Sequence, residues 1–200
     1  MTTPAASRLA AAGVVVFCLV TLACSNAKVF ANADVKAEKD RRAAPDFALK
    51  DANGNTLRLS DYKGKVVILD FWATWCGPCK VEIPWFIQFE QQYKDKGFAV
   101  LGISMDEDGW SAVKPFIEEH KMNYRVALGN DQVSELYGGL DSLPTTLLVD
   151  RTGRIAKVHI GLETGRDGFE NEITNLLDAP AMGGLLRAPG FMPAWLTGPR

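Results

Sequence analysis

Four of the 200 residues are cysteines, and two of them, Cys76 and Cys79, form a single C-x-x-C. The other two, Cys18 and Cys24, lie in an apolar N-terminal stretch, so a chain cut after Ala33 keeps only that pair. A scaffold stapled by disulfides scatters its cysteines; this one concentrates them at one site. The pair falls where an apolar, β-branched run meets a segment of helical periodicity. Free N–H groups and the helix dipole at such a start favour negative charge. A C-x-x-C there draws the first thiol from a pKa of about 8.5 toward neutrality, which makes it a nucleophile. Cys76, nearer the loop, is therefore expected to be exposed and to attack. Cys79, one turn in, is expected to be buried and to resolve the mixed disulfide.

The elements that must hold this pair follow from pattern. Lys65 to Phe71 reads as a strand buried on both faces. From Cys79 to Tyr93, Ile83, Phe86, Phe89 and Tyr93 recur at helical spacing, with a kink expected at Pro84. Upstream, Asp51-Ala52-Asn53-Gly54-Asn55 is turn chemistry between two short alternating runs, which predicts a hairpin. Downstream, strands are expected over 98–104 and 124–128, with helices over 111–121 and 132–137. Strands over 145–150 and 154–160 flank the tight turn Arg151-Thr152-Gly153 and should pair antiparallel, followed by a closing helix over 166–177. The order implies an α/β fold, a central mixed β-sheet flanked by helices, with an N-terminal hairpin extension.

Flanking segments read differently. Leu9 to Ala23 is an uncharged apolar run behind Arg8, shorter than the roughly 20 residues that span a bilayer. Residues 1–33 are expected to be a signal peptide, or a membrane or lipid anchor. Ala31-Asn32-Ala33 is the better cleavage site, and Cys24 offers a loose lipoprotein box. Each outcome places the domain outside the cytoplasm, touching a membrane only through this segment. Residues 34–44 are charged without apolar period and read as a solvated linker. Residues 45–178 form the domain, and 179–200 a Gly/Pro-rich tail. A net charge of −2 gives nothing to neutralise a phosphate backbone, so nucleic acid is not an expected partner.

Asp70-Phe71-Trp72-Ala73-Thr74-Trp75-Cys76-Gly77-Pro78-Cys79-Lys80 resembles the active-site segment of the thioredoxin superfamily. Leu143-Pro144-Thr145-Thr146 is similar to the loop whose cis-proline faces the dithiol in that fold. Pro45-Asp46-Phe47, the run from Leu59 to Lys65, and Glu82 resemble the exported TlpA/ResA-like branch. The likeness spans roughly Ala44 to Leu177. It implies a thioredoxin-like fold and a thiol–disulfide oxidoreductase that mainly reduces protein disulfides. Its substrates would be oxidised protein thiols such as those of apocytochrome c, and a membrane thiol-transfer protein would donate electrons. It also implies that Trp75, Gly77, Pro78, Leu143 and Pro144 meet the substrate, with Leu143 turned toward the dithiol by a cis bond at Pro144. No cofactor beyond a redox-active Cys76–Cys79 disulfide, and no metal, is expected.

Asp70 and Glu82 are two further catalytic candidates. If both are buried by the dithiol, their titrations should be coupled, and a carboxyl with a raised pKa could take the proton of Cys79. An exposed first-turn acid, favoured by the helix dipole, is the competing expectation for Glu82. His159 reads as a satisfied or exposed strand residue, His120 as a helix-end cation, and Asp106-Glu107-Asp108 as a solvated loop and N-cap. Two other functions stay open on this fold. A thiol peroxidase is disfavoured because Ala73 and Leu69 stand where its Thr and Pro belong. A copper-binding chaperone is disfavoured by the cysteine spacing and the missing histidine ligand.

Overall fold

The computed structural model describes residues 35–179. The expected export segment and all of the tail beyond Ala179 lie outside the described residues. A hairpin of β1 (Ala48–Lys50) and β2 (Thr56–Arg58) comes first, antiparallel as the turn chemistry predicts. Then come β3 (Val66–Trp72), α1 (Gly77–Tyr93), β4 (Phe98–Ser104), α2 (Trp110–His120) and β5 (Arg125–Leu128). The chain closes with α3 (Asp131–Leu136), β6 (Thr145–Val149), β7 (Ile155–Ile160) and α4 (Arg166–Asp178). The main sheet has the order β5-β4-β3-β6-β7. β3, β4 and β5 run parallel, while β6 and β7 are antiparallel additions, so the sheet is mixed as expected.

Burial on both faces explains why β3 and β4 are unbroken apolar runs; every residue of both is buried. On one face Val66, Ile68 and Trp72 pack with Ile83 and Phe86 of α1, Phe116 of α2 and Phe169 of α4. On the other, Val67, Leu69 and Phe71 pack with Val133 of α3 and with Leu49 and Leu57 of the hairpin. Helices thus lie on both faces, and the hairpin serves as a lid on the second core. Asp51 at its turn bonds to Arg125 at 2.7 Å, pinning the hairpin to β5. Pro84 does not end α1, which continues unbroken to Tyr93. Its position is exposed, where the carbonyl left without an N–H partner can face water.

The segment read as a linker is bonded to the domain at several points. Lys36 N–H bonds Ala156 O, Ile155 N–H bonds Arg42 O, and Ala44 N–H bonds Gly153 O, so this segment lies along the outer edge of β7. Arg41 adds an ion pair to Asp150 at 2.8 Å, both side chains largely buried. Backbone pairing with an edge strand needs no apolar side chains, which is why the composition of 34–44 gave no sign of it. Arg41→Ala is expected to lower stability by about 1–2 kcal/mol, since Asp150 loses a charged partner while buried. Denaturant melts check this; a solvated linker would show no change.

Candidate active site

Cys76 is the N-cap of α1, and Pro78 stands in the first turn, where a missing N–H is harmless. Cys76 and Cys79 are joined as a disulfide, with Cα atoms 5.3 Å apart. The Cys79 N–H points at Cys76 Sγ at 3.2 Å, so one of the helix's first free donors meets the first sulfur. No acidic residue occupies the first turn of α1 to oppose a thiolate there. Cys79 is 1% exposed, as expected. Cys76 is 4% exposed, which corrects the expectation of an open first sulfur. The cause is its capping geometry: the side chain folds back over the helix start toward Cys79, and the disulfide holds it there.

The loop before Cys76 is fixed from below. Asp106 accepts from the Thr74 N–H at 3.0 Å, from its hydroxyl, and from Ser104 Oγ at 2.7 Å. Asp106 is therefore a clamp on the active-site loop rather than part of a solvated acidic run. The N-cap of α2 is Gly109, without a side-chain bond, so the capping role expected of these acids is not present either. In contrast, Trp75 is 69% exposed. It lines a groove with Met105, Leu140 and Leu143, rimmed by Ser134, Asp141 and Ser142. The Leu143–Pro144 peptide bond is cis, as the sequence predicted. Gly77 has open space above its Cα, so a backbone could approach the dithiol there.

Beneath the disulfide, Asp70 and Glu82 are each 1% exposed. The competing expectation of an exposed Glu82 is thereby excluded: three residues after Cys79, it lies on the same face of α1 and turns to the sheet. Thr146 links the acids, with Oγ1 at 3.3 Å from Asp70 and 3.4 Å from Glu82. It reaches both because Thr146 is the register partner of Asp70 on the neighbouring strand. One hydroxyl carries one proton, so it can donate to one carboxylate only; the arrangement suits a pair that keeps a proton of its own. Burial pushes Asp70 up to about 7. Burial, and then the charge of Asp70, push Glu82 up to about 8. Both acids are thus pushed toward neutral pH, and one of them shares the Cys79 face of α1.

Thr146 appears in the sequence only as part of the proline loop; its signal was one of two hydroxyls opening an apolar strand, opposite an acid in another. His159 is buried and satisfied, with Nε2 at 2.7 Å from Glu172 and Nδ1 at 3.0 Å from Thr164. His120 stacks on Phe116 with ring centroids 3.8 Å apart. Neither histidine is turned to the cysteines as a further ligand. Leu69 and Ala73 are wholly buried core residues and bring no hydroxyl or ring toward Cys76.

Residues 41–158 match the profile of the AhpC/TSA family. The thiol–disulfide oxidoreductase ResA of Bacillus subtilis (strain 168) is 39% identical over 122 residues, covering 60% of this chain and 67% of that protein. ResA of Bacillus anthracis is 34% identical over 144 residues, covering 71% and 83%. Among solved structures, a thiol:disulfide interchange protein of the thioredoxin family from Chlorobium tepidum TLS is similar at a TM-score of 0.64. It is 27% identical, with 70% of this chain and 99% of that one covered. A secreted thiol-disulfide isomerase from Corynebacterium glutamicum is similar at a TM-score of 0.67 and 25% identity, covering 72% and 90%. A C-x-x-C capping a helix, a cis-proline loop and relatives of this likeness agree: the chain belongs to the AhpC/TSA family and is a thiol–disulfide oxidoreductase of the ResA type with a thioredoxin-like fold.

Proposed function

We propose that the chain works outside the cytoplasm as a reductase of protein disulfides, with Cys76 as nucleophile, Cys79 as resolving thiol and the Asp70–Glu82 pair as proton acceptor. The observation that carries this is a helix-capping cysteine pair whose second member shares a face of α1 with the buried Glu82, itself joined to the buried Asp70 through Thr146. In the reduced protein, the Cys76 thiolate attacks one sulfur of a substrate disulfide. A mixed disulfide forms, and the first substrate thiolate leaves and takes a proton from water. Cys79 then gives its proton to the ionised carboxyl beneath it and attacks Cys76 Sγ. The mixed disulfide breaks, the second substrate thiolate leaves, and two electrons have passed to the substrate. A dithiol protein in the membrane resets the pair by the reverse sequence. No cofactor other than the Cys76–Cys79 disulfide, and no metal, enters any of these steps.

Substrate contact falls to Trp75, Gly77, Pro78, Leu143 and Pro144. Trp75 is a large apolar surface left in water beside the dithiol, and Gly77 leaves room for a peptide backbone. The N-terminal apolar run supports export, and the name of the secreted relative from Corynebacterium glutamicum agrees with it. Among the described residues no helix is long and apolar enough to cross a membrane. The likeness to ResA supports the haem-binding cysteines of an apocytochrome c as the substrate. The state of the pair in cells tests the direction: alkylation should find Cys76 and Cys79 mostly reduced, and a mostly oxidised pair would show an oxidase. Trp75→Ala should lower the rate with a protein disulfide roughly tenfold while leaving a small aromatic disulfide almost unaffected, because only the former fills the groove.

A further inference from the structure

Gly102 on β4 is the register partner of Asp70. A side chain has no room there: a Cβ would lie 3.0 Å from Trp72 Nε1 and 3.2 Å from Tyr124 Cε2. The space beside Asp70 is taken instead by two side chains that reach over Gly102, one from the end of β3 and one from the residue before β5. Each brings a hydrogen-bond donor, since Cε2 is bonded to the carbon that carries the Tyr124 hydroxyl. Both donors are buried, and neither has a hydrogen-bond partner among the described residues. Glu82 Oε1, an acceptor, is also buried and unpartnered. A buried donor left so is destabilising, so two beside one acid pair call for a reason.

We propose that Tyr124 and Trp72 are positioning residues for the proton of the dithiol: their O–H and N–H turn to the Asp70–Glu82 pair when it loses its last proton, and so set how readily it accepts one from Cys79. The inference rests on the reading that this pair serves Cys79. Side-chain rotation, or a shared water, would carry the donors' hydrogen bonds to the charge, and either gives the same shift. Burial, and the charges of Asp70, Glu90 and Glu82, hold the Tyr124 hydroxyl far from ionisation, so it remains a donor throughout the working pH range. Other ionisable groups sit farther round the site. Glu90 of α1 is engaged by the Val100 N–H at 2.7 Å and lies within the influence of Lys65 and Lys94. From α2, His120 stands behind the Phe116 ring that meets Trp72. From β7, His159 lies across from Thr146 and is held by Glu172.

The test is an infrared titration of the carboxyl stretch in the oxidised protein, which needs no substrate. Tyr124→Phe keeps the ring and removes only the hydroxyl. Its midpoint for the pair should move up by about 1 pH unit, a tenfold change in the ionisation constant. Tyr137→Phe, on the opposite face of the sheet, should leave the midpoint where it is. Trp72→Phe should move it in the same direction as Tyr124→Phe, and the pH profile of the resolving step should follow. Unchanged midpoints in both variants overturn the proposal, as does an equal shift in Tyr137→Phe. A wild-type protein with no disulfide exchange at all overturns the function instead, and the titration distinguishes the two failures.

Discussion

Replacing Cys76 with serine is expected to abolish disulfide reduction, while replacing Cys79 with serine should leave the first attack intact and accumulate mixed disulfides. The asymmetry comes from position. Cys76 Sγ receives the Cys79 N–H and stands at the positive end of α1, whereas Cys79 is sealed against the sheet. Only the first sulfur has a thiolate stabilised by the helix terminus, and only the second can release a captured partner. The loss in Cys76→Ser should reach background, because a serine hydroxyl at neutral pH is no substitute for a thiolate. Rates with a model protein disulfide, and non-reducing gels of the Cys79→Ser protein from cells, read the two results. Trapping by Cys76→Ser and not by Cys79→Ser would reverse the roles. The captured protein would also identify the substrate.

The second large effect concerns the buried acids. Asp70→Asn and Glu82→Gln should slow the resolving step by roughly 10²–10⁴-fold and the first attack far less. A neutral amide takes no proton from Cys79, whereas the charge on Cys76 is stabilised by the helix start. Stability moves the opposite way. Each acid has its folded pKa raised, so the stability it lends is full below its unfolded value and is lost as pH rises through the folded one. With Asp70 at about 7 and Glu82 at about 8, the wild-type oxidised protein should weaken steadily from about pH 4 to pH 8. Asp70→Asn should flatten that slope and exceed the wild type in stability above neutrality. Stopped-flow measurement of the two steps, with melts across pH, checks both. Equal resolving rates in wild type and the double variant would make the carboxyls structural.

The sequence revealed those parts of the molecule that depend on local pattern. β4 was expected over Phe98 to Ser104 and has those bounds, because a strand buried on both faces is a continuous apolar run between polar ends. The dithiol was legible from residue type and spacing, while both acids and the proline loop were legible from the resemblance to the thioredoxin superfamily. What escaped reading were relations across the sheet. Thr146 joins Asp70 to Glu82 only because β6 pairs with β3 in that register, and the Tyr124 ring lies over Gly102, the register partner of Asp70, only because Gly102 has no side chain. The burial of Cys76 was missed for another reason: capping folds a side chain inward where the helix position alone suggests an outward one. Asp106 looked like one member of an acidic run, and its bonds to Thr74 depend on the loop closing over it.

The docking of 36–44 along β7 changes how far the dithiol can travel. An extended chain spans about 3.3–3.6 Å per residue, so ten loose residues would let the domain roam some 35 Å from any point that held it. Here that slack is absent, since Lys36, Arg42 and Ala44 are already bonded to the domain they would have suspended. Residues 36–44 therefore add no reach to whatever holds the chain upstream of them, and the dithiol's range is shorter by about 30 Å than a free segment of that length would allow.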